Sequence, residues 1–125
     1  MWSWLFGSRA LAPVPLVLYT RRNCGLCHEM KAEIQAARVS FPWTLSEVDI
    51  DADSNLQAEY GQSIPVLWIG GRKAFKGRMS GVEFVRKFER MAREWYHAQE
   101  WSRALQDGAG AQPKAGPQRE TKPKE

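Results

Sequence analysis

Cysteine is scarce in this chain: its 125 residues contain two, Cys24 and Cys27. Two thiols three positions apart cannot form the disulfide framework of a small secreted domain, because so short a loop constrains too little chain. Long apolar runs are missing as well, and nothing approaches the ~18 consecutive apolar residues that a spanning helix needs. The start, Met1-Trp2-Ser3-Trp4-Leu5-Phe6, lacks an early basic segment and is interrupted by Gly7 and Arg9, which makes a poor signal peptide. These three shortages together lead us to expect a cytoplasmic protein whose thiols live in a reducing compartment. No internal repeat is visible. The net charge of +4 is small, and Lys114, Arg119, Lys122 and Lys124, against Glu120 and Glu125, account for about half of it. With no aromatic-basic motif of the RNA-binding kind, no nucleic-acid partner is expected.

What is present reads as one soluble domain. Hydrophobic residues make up 43% and charged residues 26%, the proportions of an ordinary globular chain. Residues 1–13 form an apolar N-terminal segment that either packs on the body or touches a partner or membrane surface. Residues 14–106 form the domain. Residues 107–125, rich in Gly, Ala, Pro, Lys and Glu, read as a disordered basic tail with nothing to bury.

Within the domain, Pro15 to Tyr19 reads as a strand. Gly25 to Arg38 reads as a helix with Leu26, Met30, Ile34 and Ala37 on one stripe. Trp43 to Ile50 alternates as a second strand, with a slip near Ser46. Asn55 to Tyr60 reads as a short helix, with caps on offer from Asp51, Asp53 and Ser54 and with Gly61 in the left-handed position after it. Val66 to Ile69, the two-residue turn Gly70-Gly71, and Arg72 to Lys76 read as a hairpin. A long helix starts at Gly81, with Val82, Val85, Phe88, Ala92 and Trp95 expected inward and an end between Tyr96 and Gln106. The leading βαβ unit requires two parallel strands with a right-handed crossover.

The two cysteines sit where the first strand turns into the first helix, as Cys24-Gly25-Leu26-Cys27. The opening turn of a helix carries unpaired N–H groups and about half a positive charge. A thiolate is stabilised there, which lowers the thiol pKa and makes Cys24 nucleophilic. Arg21, Arg22 and Lys31 stand near it in sequence and would favour the anion further. Cys27 is within reach to close a disulfide.

That C-x-x-C at the first strand–helix turn, the β-α-β-α-β-β-α order, and the segment Tyr60-Gly61-Gln62-Ser63-Ile64-Pro65-Val66-Leu67 resemble the thioredoxin superfamily. Leu16-Val17-Leu18-Tyr19-Thr20 and Ile69-Gly70-Gly71 look most like its glutaredoxin-like members. The resemblance covers about Pro15 to Trp95. It implies a thioredoxin-like three-layer α/β/α fold with a four-stranded mixed sheet. It implies a monomeric dithiol oxidoreductase that reduces protein or glutathione-mixed disulfides, with Cys24 as nucleophile and Cys27 as resolving thiol. Pro65 is expected to be cis, leaving the Ile64 backbone free to pair with an extended substrate. Arg21, Arg22 and Arg78 complete the expected substrate-binding set. No bound cofactor is implied, and glutathione is the candidate reductant.

Two departures from the family pattern stand out. The usual Cys-Pro-Tyr-Cys turn is Cys-Gly-Leu-Cys here. The usual Gly-Gly-x-Asp glutathione segment is replaced by Phe75-Lys76-Gly77-Arg78-Met79-Ser80-Gly81, where Arg78 and Ser80 offer partial substitutes. Three rival readings remain beside the enzyme. One is a redox-inactive binding module that uses the Ile64-Pro65 edge. Another is a metal carrier, in which zinc takes Cys24, Cys27, His28 and His97 or a shared iron–sulfur cluster takes one thiolate from each of two subunits. The last is c-type haem attachment through Cys24-Gly25-Leu26-Cys27-His28, which an α/β order does not suit. Asp49 and Asp51 are candidates for a buried acid near Cys27.

Overall fold

The computed structural model describes residues 11–107. The apolar segment before them and most of the basic tail lie outside the described residues. Four strands, β1 (Val14–Thr20), β2 (Trp43–Asp49), β3 (Val66–Ile69) and β4 (Arg72–Lys76), form one sheet in the order β2-β1-β3-β4. β1 runs parallel to β2, from Val14 opposite Trp43 to Thr20 opposite Asp49, and antiparallel to β3, with Tyr19 opposite Val66. The fold is thus the expected thioredoxin-like arrangement with a mixed sheet.

Helices cover both faces. α1 (Gly25–Ala36) and α3 (Gly81–Gln106) share one face, while α2 (Ser54–Tyr60) lies on the other. Strand alternation sorts the side chains. Leu16, Leu18, Leu67 and Ile69 pack with Met30 and Ile34 of α1 and with Phe84, Phe88, Met91 and Ala92 of α3. Tyr19 and Val66 point the other way and meet Ile50, Leu56 and Tyr60. The Tyr19 and Tyr60 rings stand edge-on at 4.9 Å.

Three local expectations are corrected. α1 stops at Ala36 rather than Arg38: Ala37 is extended (φ −73°, ψ 145°) and its N–H turns back to Ile34 O at 3.2 Å. Ala37, Val39 and Phe41 then pack against the main core, and that burial outweighs the helical preference of the segment. Gly61 is not left-handed but right-handed (φ −56°, ψ −29°). Its carbonyl, which a left-handed cap would redirect, accepts Nη1 of Arg21 at 3.2 Å. Val82 is not inward; it is 68% exposed. The buried stripe runs through Phe84, Phe88, Met91 and Ala92, and two residues of helix place Val82 about 200° away from Phe84.

The hairpin is as read, with Gly70 at φ 58° and Gly71 at φ 85° and Ile69 opposite Arg72. Both residues have the positive φ that a two-residue turn of this hand demands. One residue of β4 is extra: Leu67 faces Phe75 and Trp68 faces Lys73, so Ala74 bulges.

Candidate active site: a dithiol at the start of α1

β1 delivers the chain to the top of the sheet, where Asn23 takes a left-handed conformation, φ 58°. Asparagine tolerates that region better than most residues, and the reversal turns the backbone directly into α1. Cys24 follows as the N-cap, in extended conformation (φ −108°, ψ 107°). Its Sγ accepts the Cys27 N–H at 3.1 Å, and its carbonyl accepts the His28 N–H, also at 3.1 Å. Sulfur therefore occupies the place that a serine or aspartate oxygen takes in an ordinary N-cap. The same N–H is positioned to stabilise a thiolate.

Cys24 and Cys27 are joined in a disulfide with their Cα atoms 5.3 Å apart. Cys24 is half-buried and Cys27 is 4% exposed. An asymmetric pair results, with one sulfur at the rim and the other beneath it among core residues. The groove beside the pair, about 750 Å³, is lined by the two cysteines with Arg21, Asn23, His28, Glu29, Lys31 and Glu47 among others.

The cations singled out in the sequence fare differently. Arg21 grips Asp51 through Nε–Oδ2 at 3.1 Å and Nη2–Oδ1 at 3.0 Å. That contact raises the Arg21 pKa and holds the Asp51 carboxyl below the usual carboxylate range. Lys31 is paired to Glu47 at 2.8 Å. Both charges beside the groove are thus matched by carboxylates. Arg22 is exposed, with no side-chain partner among the described residues. Arg78 is exposed and approaches Glu29 at 3.9 Å. Asp49 and Asp51 are exposed rather than buried, and no polar or charged side chain is buried among the described residues. The candidate buried acid is therefore excluded: Asp49 caps the 3-10 turn Ile50–Ala52 through the Asp51 N–H, and Asp51 serves Arg21.

The Ile64–Pro65 bond is cis. Pro65 is buried, and its carbonyl accepts the Gly77 N–H at 2.8 Å. Ile64 precedes β3, and its own N–H and C=O engage no partner among the described residues. Sequence reasoning missed Asn23 as the pivot of the site; an Asn directly before the helix cap was the available signal. It also missed Asp51 and Glu47 as counter-charges, which no sequence spacing reveals. Among the described residues, no group of three or more His, Cys, Asp or Glu is placed to hold a metal ion, and no helix is long and apolar enough to cross a membrane.

A mixed four-stranded sheet covered by helices on both faces, with a cysteine pair at the N-terminus of its first helix, defines a protein of the thioredoxin superfamily. Within it, the chain belongs to the glutaredoxin-like domain (DUF836) family, whose profile matches residues 15–89. α3 continues past that match to Gln106. A solved structure, the structural-genomics protein XcR50 from X. campestris, is 29% identical, covers 57% of this chain and 91% of its own, and superposes with a TM-score of 0.50. Protein Ne2328 from Nitrosomonas europaea is 24% identical over 59% of this chain and 89% of its own (TM-score 0.49). A mutant thioredoxin from Halobacterium salinarum NRC-1 is 17% identical over 68% of this chain and 82% of its own (TM-score 0.43). No curated protein matches the chain.

Proposed function

We propose that this protein is a dithiol–disulfide oxidoreductase that reduces protein disulfides or glutathione-mixed disulfides through Cys24 and Cys27. One observation carries the reading: Cys24 Sγ caps α1 and accepts the Cys27 N–H at 3.1 Å while remaining partly exposed. In the reduced protein, Cys24 as thiolate attacks one sulfur of a substrate disulfide. A Cys24–substrate disulfide forms, and the departing substrate sulfur leaves as a thiolate that takes up a proton. Cys27, deprotonated in turn, attacks Cys24 Sγ and displaces the second substrate thiol. The substrate gains two electrons and two protons, and the enzyme is left with the Cys24–Cys27 disulfide.

An external thiol then regenerates the dithiol. Glutathione suits that role chemically, although the segment Phe75 to Gly81 lacks the family's two adjacent glycines and its aspartate. The unpaired Ile64 backbone supports an extended substrate lying beside the dithiol as an added strand. Arg22 and Arg78 stand as exposed cations for its carboxylates, while Arg21 is held by Asp51. A reducing, cytoplasmic compartment suits a chain whose cysteines are spent on one redox pair.

The test is a substitution pair. Cys24→Ser abolishes reduction of a peptide disulfide. Cys27→Ser retains the first attack and accumulates a mixed disulfide, visible by mass spectrometry and released by dithiothreitol. If Cys24→Ser reduces the peptide at the wild-type rate, the proposal fails.

A further inference from the structure

Five cations, Lys76 and Arg78 at the end of β4 and just after it and Arg86, Lys87 and Arg90 on α3, surround a groove of about 450 Å³ at the junction of β4 and α3. Glu83 is the one carboxylate lining it among the described residues, and its Oε1 is already occupied by the Ser80 N–H at 3.0 Å. The cations are under-matched. Arg78 reaches Glu29 only at 3.9 Å, and Arg90 reaches Glu94 at 3.7 Å. Lys87 donates to Ala74 O at 2.9 Å and lies 4.7 Å over the Phe75 ring. The Lys76 and Arg86 side chains have no hydrogen-bond or ion-pair partner among the described residues. This contrasts with the rim of the dithiol, where Arg21 and Lys31 are each closed by a carboxylate.

The groove lies one strand over from the substrate edge. Lys76, which lines it, pairs with Val66, and Gly77 bonds to Pro65 O. Arg78 also lines a second groove with Leu26 of the dithiol turn, where Glu29, Glu33 and Glu83 supply carboxylates, so the cationic lining is confined to the β4–α3 side. We propose that this groove recognises an acidic stretch flanking the substrate disulfide, so that the natural substrates are proteins with Asp or Glu clustered beside the reacting cysteine. The inference rests on the oxidoreductase reading and names its substrate class. Concave sites lined by one sign of charge focus the potential and raise encounter rates, and arginines suit carboxylates through their planar donor fork. A protein fits better than a nucleic acid. The adjoining Ile64 edge offers strand pairing to a peptide, and Lys87 already covers Phe75, the one aromatic ring in the groove that bases would need for stacking.

The test uses the full chain and two disulfide peptides that differ only in their flank, one rich in Asp and Glu and one rich in Lys and Arg. At low salt, kcat/KM for the acidic peptide exceeds that for the basic one by about tenfold, and the ratio shrinks as salt screens the groove. Arg86→Glu collapses the ratio and Arg86→Lys preserves it, while turnover of uncharged 2-hydroxyethyl disulfide is unchanged in both. Binding of the same peptides to Cys24→Ser isolates docking from chemistry. Preferential binding of the acidic peptide there supports the groove even if no disulfide is reduced, an outcome that would sink the enzyme reading alone. Equal affinity for both peptides, a preference indifferent to Arg86→Glu, or a single-stranded oligonucleotide that outcompetes the acidic peptide overturns the proposal.

Discussion

Arg21 and Asp51 form a two-point clamp, Nε to Oδ2 at 3.1 Å and Nη2 to Oδ1 at 3.0 Å, while Nη1 of the same guanidinium holds the Gly61 carbonyl at 3.2 Å. One side chain therefore ties the end of β1, the 3-10 turn after β2 and the end of α2 together beside the dithiol. The clamp depresses the Asp51 pKa in the folded state. A depressed carboxyl stabilises the fold above its ordinary titration range, and that contribution disappears as pH falls through the lowered folded value. We expect the Asp51 carboxyl carbon, followed by NMR, to titrate below the normal aspartate range in the wild type and to return toward it in Arg21→Gln. An unmoved titration in the variant would show that the clamp does not form in solution.

Cys24 and Cys27 should differ in reactivity. Cys24 caps the helix and is half-buried, whereas Cys27 is 4% exposed. With the protein reduced, iodoacetamide should label Cys24 at least about tenfold faster, at a pH below that of an ordinary thiol. Peptide mapping after timed quenching reads the ratio. Equal labelling would contradict the asymmetry.

Gly70 cannot be replaced without cost. It sits at φ 58°, and a Cβ there would lie 2.9 Å from Cδ1 of Trp95. Gly70→Ala should destabilise the fold by about 1–3 kcal/mol, from left-handed strain together with overpacking against the indole. Urea unfolding measures it. Gly71 has nothing within 4 Å of such a Cβ, so Gly71→Ala should cost less, through its positive φ alone.

Asp53 caps α2 by accepting the N–H groups of Asn55 at 2.8 Å and Leu56 at 3.2 Å. Asp53→Ala should cost about 1 kcal/mol. Because α2 has seven residues and carries Tyr60 onto Tyr19, the loss should appear first as faster amide exchange in α2, with the main core still protected.

Much of this was legible from residue order. The apolar run Leu16-Val17-Leu18-Tyr19 and the Gly70-Gly71 pair set the first strand and the hairpin, since a two-residue glycine turn admits few other outcomes. Cys24-Gly25-Leu26-Cys27 after a strand located the dithiol. The misreadings fell where packing overrode local signals. Val82 looked apolar enough to be inward, but the phase of α3 is set by Phe84 and Phe88. Gly61 looked like a left-handed cap, but Arg21, forty residues earlier in the chain, takes its carbonyl. Asp51 looked available as a buried acid, and instead lies at the surface as the counter-charge to Arg21.

Sequence by itself determined the element order, the parallel βαβ start and the position of the two sulfurs, because hydrophobic period and turn chemistry act over a few neighbouring residues. Only the tertiary structure decided which charges near the dithiol are neutralised and which, in the groove between β4 and α3, are left without close partners. Coulomb and hydrogen-bond energies depend on distance in space, and residues 21 and 51, or 78 and 90, acquire a distance only when the chain has folded.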